Sequence, residues 1–242
     1  MVSIADRAVL VTGANRGIGQ ALVEEALRRG AKRVYAGTRQ PLAHPDGRVT
    51  PLPLDVTSAA QTQAAADQVG SLDILINNAG IALYDDLSDR SALERHLAVN
   101  LFGTYSVTQA FLPLLTRSRG AIVNILSVNA FAPLPLIPSY SISKAAAFNL
   151  TQSLRTLLAG QGVRVHAVLT GIVEDVLLVF LHSVAGAVFD GVEKDEEDIF
   201  PDPMSESMAE SWRSGAAKAL ERQYAAIAEQ YAAVAEAEAV TS

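Results

Sequence analysis

The stretch AVLVTGANRGIGQALVEEALRRG, Ala8 to Gly30, decides the fold. Its opening residues, Ala8-Val9-Leu10-Val11, are an unbroken apolar run, the pattern of a parallel strand buried on both faces. Thr12-Gly13-Ala14-Asn15-Arg16-Gly17-Ile18-Gly19 follows. Apolar pairs at Ala21-Leu22 and Ala26-Leu27 then recur at helical spacing, and Gly30 closes the run. Strand, glycine turn and helix in that order build a pyrophosphate site. Gly13 permits the tight turn, Gly17 lets backbone approach phosphate, and Gly19 lets the helix pack close on the strand. The helix N-terminus adds free N–H groups and the positive end of its dipole. The spacing is G-x-x-x-G-x-G rather than G-x-G-x-x-G, and three glycines alone would fit an ordinary strand–helix turn. The flanking strand and helix favour a nucleotide site, with Gly13, Asn15, Arg16, Gly17, Ile18 and Gly19 as its contacts.

Outward from this unit, apolar runs and helical patterns alternate. This predicts an α/β, Rossmann-type, doubly wound and mostly parallel seven-stranded sheet with helices on both faces. Strands are expected at Arg33–Thr38, Val49–Leu54, Leu72–Ile76, Ala121–Leu126, Val163–Leu169 and Asp198–Phe200. Pro51 and Pro53 place the third strand at an edge. Ser58 caps an Ala-rich helix ending near Gly70. Further helices are expected over Ser91–Arg117, Pro138–Gly160 and within Val176–Val192. A last, continuous one runs over about 205–239. No linker or repeat divides the chain, so residues 1–242 read as one domain.

Bulk properties narrow the function. Apolar residues make up 50% and charged residues 19%, enough for a large core. A net charge of −7 without a basic cluster speaks against nucleic acid. There is no cysteine, and the four histidines, His44, His96, His166 and His182, lack metal-ligand spacing. They read as surface or core residues, and no metal site is expected. Glu193–Asp198 reads as a solvated helix end. The N-terminus lacks a signal-peptide pattern, and the apolar run Val176–Leu181 is too short to span a bilayer, so a soluble cytoplasmic protein without membrane contact is expected.

The chemistry-bearing residues lie on one expected helix and at the ends of expected strands. Tyr140 and Lys144 share one helix face, where an ammonium can lower a phenol's pKa and equip it to exchange a proton. Ser127 closes a strand at the sheet edge where open α/β sheets bind ligands. No acidic residue ends the second strand to accept a ribose 2′-OH. Arg39 follows it instead, and with Arg16 it can clamp a 2′-phosphate, which favours NADP(H) over NAD(H).

Thr12–Gly19, Asn77-Asn78-Ala79-Gly80, Asn100, Ser127 and Tyr140-Ser-Ile-Ser-Lys144 together resemble the short-chain dehydrogenase/reductase family, over roughly residues 5 to 171. The resemblance implies that Tyr140 is the general acid/base and that Lys144 lowers its pKa and holds the nicotinamide ribose. It implies that Ser127 orients the substrate carbonyl and Asn100 supports a water-mediated proton relay. Asn77, Ala79 and Gly80 would line the cofactor and steady the sheet, Asp55 and Val56 would flank the adenine, and Gly171 and Val173 would meet the nicotinamide side. A homodimer or homotetramer is also implied, with the helices of 91–117 and 138–160 between subunits. The departures follow the sixth strand. Thr170-Gly171 replaces Pro-Gly, Asp175 stands where Thr is expected, and the next segment is short and apolar. The expected function is hydride transfer between NADP(H) and a small, mostly apolar ketone, aldehyde or secondary alcohol. The alternatives are a non-catalytic nucleotide-binding or interaction protein with an altered lid, and an isomerase or epimerase.

Overall fold

A computed structural model describes residues 3–40, 42–171 and 178–240, without the side chains of 178–179, 229 and 231–240. Val173 and Asp175 lie outside the described residues, and with them the nicotinamide-side contact and the acidic departure.

The strands are β1 (Ala8–Thr12), β2 (Arg33–Thr38), β3 (Val49–Pro53), β4 (Ile74–Asn77), β5 (Ala121–Ser127), β6 (Arg164–Thr170) and β7 (Asp198–Ile199). They form one sheet in the order β3-β2-β1-β4-β5-β6-β7, and every pairing is parallel rather than mostly so. β3 is an edge strand, where the missing N–H groups of Pro51 and Pro53 leave no gap in a central ladder. The winding reverses between β1 and β4, and the crevice at such a switch point is where these sheets bind ligands.

The helices are α1 (Gly17–Arg28), α2 (Ala59–Gln68), α3 (Arg90–His96), α4 (Thr104–Ser118), α5 (Pro138–Leu158), α6 (Leu178–Glu193), α7 (Pro203–Ser214) and α8 (Ala216–Val240). The alternating strand side chains feed two cores. Val9, Val11, Ile74, Ile76 and Val123 pack with α1 and α6 on one face. Ala8, Leu10, Leu75 and Ile122 pack with residues of α4 and α5 on the other. This two-sided burial is why the strands are apolar throughout.

The structure corrects three sequence expectations and adds a placement for the apolar run leading into α6. The helix expected over Ser91–Arg117 is α3 and α4 joined by a π-helical segment, Leu97–Gly103. The helix expected to run unbroken over 205–239 is interrupted between α7 and α8 at Gly215. The apolar run Val176–Leu181 is in part a core element: Leu181 is buried and Phe180 packs against the α1–α6 cluster. The charge run Glu193–Asp198 is not wholly solvated, because Asp198 is buried and accepts from Arg155 at 2.9 Å. The described chain forms two compact units, Met1–Ser205 and Glu206–Ser242. Among the described residues no helix is long and apolar enough to cross a membrane.

Candidate active site

A cleft of about 430 Å³ opens at the C-terminal ends of β1, β2, β4 and β5. The glycine turn between β1 and α1 forms its floor. Gly13 has φ +65, a left-handed conformation that disfavours a side chain. A Cβ on Gly19 would collide with the carbonyl of Gly13 and the amide of Asn78, so only glycine lets α1 start this close to the sheet. No side chain caps the α1 N-terminus at Arg16, and its first N–H groups open on an anion-binding position.

The turn is tied to β4 by two side chains. Thr12 Oγ1 accepts the N–H groups of Asn78 and Ala79, both at 3.0 Å. Asn78 Nδ2 donates to the carbonyls of Thr12 at 2.9 Å and Gly13 at 3.2 Å.

Gly13, Asn15, Arg16, Gly17, Ile18, Gly19, Arg39, Asp55, Val56, Ala79, Gly80, Tyr140, Lys144 and Gly171 all line this cleft. Asn77 does not. It ends β4 in register with Asn124 and faces the sheet interior, where its Nδ2 donates to Asn124 Oδ1 at 2.9 Å and Thr108 Oγ1 at 3.1 Å. Asn78 takes the lining place that the sequence argument assigned to Asn77. Thr38, Thr57, Ile81, Ala82 and Val99 line the cleft too; isolated apolar or hydroxyl residues at a strand end, in loops and in helix turns carry no sequence signal of their own.

At the far end, α5 brings Tyr140 and Lys144 to the C-terminal end of β5. The Lys144 ammonium is buried, donates to the Ile125 carbonyl at 2.8 Å and stands 5.7 Å from the centre of the Tyr140 ring. Burial pulls its pKa down to about 8. The Tyr140 hydroxyl lies against Ser127, the last residue of β5. Burial pushes the Tyr140 phenol above its usual pKa, and the Ser127 hydroxyl opposes that shift. The lysine effect expected from sequence, a lowered phenol pKa, is therefore not the balance here; desolvation dominates.

Asn100 lies in the π-helical segment, a kind of helix distortion frequent at functional sites. Its side chain is buried and committed to the backbone after β4. Oδ1 accepts from Ile81 N–H, and Nδ2 donates to the Ile81 carbonyl and Ser143 Oγ, each at 2.9 Å. A Cβ on Gly80 would stand 3.2 Å from Asn100 Oδ1 and 3.7 Å from Lys144 Nζ, so a glycine there keeps the cleft open between them. Ser127 and Asn100 thus stand outside the lining and reach it through Tyr140 and Ile81.

The chemistry of this donor set fits a dinucleotide. An uncapped helix N-terminus faces the phosphate position, exposed Arg16 and Arg39 flank the β2 end, and a buried ammonium sits beside a phenol. Comparison with known proteins agrees. The family model described as short chain dehydrogenase matches residues 7–180. The chain is 37% identical over 185 residues to 2-(S)-hydroxypropyl-CoM dehydrogenase 3 of Xanthobacter autotrophicus, covering 70% of this chain and 72% of that protein. It is 30% identical over 231 residues to estradiol 17-beta-dehydrogenase 2 of Mus musculus, covering 88% of this chain and 58% of that one. A crystal structure of a short chain dehydrogenase from Burkholderia cenocepacia in complex with NADP superposes with a TM-score of 0.82 at 33% identity, covering 92% of this chain and 98% of that chain. A Burkholderia phymatum structure in complex with NAD shares the fold at 20% identity and a TM-score of 0.77, covering 88% and 94%. By family match, fold and relatives, this chain belongs to the short-chain dehydrogenases.

Proposed function

We propose that this chain is an NADP(H)-dependent reductase of small, mostly apolar ketones and aldehydes, running in reverse as a secondary-alcohol dehydrogenase. The observation that carries the reading is the Ser127–Tyr140–Lys144 group at the end of β5, with Ser127 and Lys144 buried and half-buried Tyr140 opening on the cleft beside Lys144.

The dinucleotide supplies the hydride. Arg16, Gly17 and the α1 N-terminus would hold its pyrophosphate, and Arg39 its 2′-phosphate. Asp55 stands near Arg39 as an ionised carboxylate: it accepts from Thr57 N–H and Oγ1, bonds that hold its pKa down, and the Arg39 charge lowers it further. The NADP bound by the Burkholderia cenocepacia relative supports the same preference. Tyr140 would donate its proton to the substrate oxygen, and Ser127, buried behind the lining, would orient that phenol and through it the carbonyl. A phenol pKa raised by burial keeps that proton in place at neutral pH. Lys144, charged below about 8, would favour the phenolate left after transfer. Ile81, Ala82 and Val99 supply the apolar lining. Exposed Phe102, Tyr105 and Ile142, on the π-helical segment, α4 and α5, support a homo-oligomer formed across these elements.

The test is NADPH oxidation with a panel of aliphatic and aryl ketones and aldehydes, run on wild type and Tyr140→Phe. The variant keeps the ring and deletes the acid. It is expected to bind NADPH normally and lose about 10²–10⁴-fold in turnover. Wild-type turnover in the variant would remove Tyr140 from the chemistry.

A further inference from the structure

The backbone that leaves β4 is held at alternate residues. Ile81 N–H donates to Asn100 Oδ1 at 2.9 Å, Leu83 N–H to His96 Nε2 at 3.0 Å, and Asp85 N–H to the Leu136 carbonyl at 3.3 Å. Asp85 also accepts from Ser139 through both carboxylate oxygens, at 2.8 and 3.3 Å. Residues two apart in an extended chain direct their N–H groups to one side. All three anchors belong to the elements around Tyr140: α3, the π-helical segment, and the start of α5 with the turn before it.

His96 is the unusual anchor. It is fully buried, at 0% exposure. A backbone N–H can only donate, so Nε2 is the unprotonated nitrogen and the ring proton sits on Nδ1, 2.7 Å from the Ala92 carbonyl. Both ring nitrogens are thereby satisfied in the neutral form. The same ring meets Tyr140 edge to face, with centroids 6.3 Å apart and planes at 72°. One imidazole thus touches both the phenol and the backbone next to Ala82, a residue of the cleft wall.

We infer that His96 is a positioning residue: its neutral imidazole fixes the backbone at Leu83, and with it the Ile81–Ala82 wall of the cleft, against the Tyr140 ring. This rests on Tyr140 being the proton donor. His96 touches no reacting atom and acts by setting where the substrate lies relative to the phenol.

Two substitutions separate its acceptor from its bulk. His96→Phe keeps a ring against Tyr140 and removes the acceptor; His96→Gln keeps an acceptor and removes the ring. Both are assayed for NADPH affinity, for kcat and KM with the ketone that wild type turns over fastest, and for amide hydrogen exchange at Leu83. His96→Phe is expected to speed exchange at Leu83 and raise KM by about tenfold, the loss of one hydrogen bond, with NADPH affinity unchanged. His96→Gln is expected to recover most of both. Leu83→Pro removes the same bond from an exposed position and leaves the helix intact, so it should reproduce the rise in KM. Wild-type KM and exchange in His96→Phe, or equal damage from Phe and Gln, would overturn the inference. If Tyr140→Phe turned over like wild type, the catalytic reading would fail instead, and the exchange at Leu83 would still decide whether His96 holds the loop.

Discussion

Two side chains set the expected behaviour of the site at the residue scale. Lys144 is protonated in water up to about 10.5 and, buried, only up to about 8. Between those values the unfolded chain holds a proton that the folded one has released, so stability rises with pH across the window. Lys144→Met is therefore expected to be more thermostable than wild type at neutral pH, with the gap closing as pH climbs from 8 towards 10.5; unfolding curves of both proteins at several pH values check it. Arg39 follows the last residue of β2 and lines the cleft. Arg39→Asp should shift the ratio of NADPH to NADH affinity by roughly tenfold to a hundredfold, the worth of a charge-assisted hydrogen bond. Titration of each cofactor measures it, and an unchanged ratio would mean that Arg39 does not contact the 2′ position.

Close backbone approach, more than helix propensity, governs the elements. α1 begins against Gly13 because Gly19 has no Cβ, and Gly19→Ala would force the helix start away from the strand. The expected cost is about 1–3 kcal/mol of stability, as for overpacking generally, together with weakened NADPH binding because the same residue lines the cleft. Denaturant unfolding and cofactor titration on one sample report both. The π-helical segment belongs to this scale as well. Its side chains at Asn100 and, one residue before it begins, His96 both hold the backbone after β4, which ties the irregularity in the helix to the wall of the cleft.

Across the larger unit, the helices α1 and α6 are joined by a charge cluster. Arg29, mostly buried, pairs with Glu25 at 2.7 Å, Asp190 at 2.6 Å and Glu193 at 2.7 Å, and lies over the Phe189 ring. Arg28 and Arg29 hold the Glu25 carboxyl below its usual pKa. That contribution to stability is present above the usual carboxylate value of 4.5 and is lost as pH falls through the lower, folded one. Arg29→Ala should thus lower Tm at neutral pH, leaving a buried carboxylate with only the exposed Arg28, and the difference from wild type should shrink as pH falls below 4.5. A constant difference would assign the loss to packing on Phe189.

Ala8–Gly30 by itself determined the strand, the glycine turn and the helix, because each is dictated by local sterics: an apolar run, a positive φ, a missing Cβ. Tyr140 and Lys144 were equally legible, since one helical turn separates them whatever surrounds the helix. Other features required the folded chain. Which of two adjacent asparagines faces the sheet depends on the register of β4 against β5, and a shift of one residue exchanges the faces. Asp198 looks like part of a solvated charge run until β7 pairs with β6 and brings it to Arg155. The phenol's pKa turns on how deeply α5 buries it, and the role inferred for His96 on a loop that sequence places nowhere. These depend on long-range contacts, and only the tertiary structure decides which distant groups share a dry site.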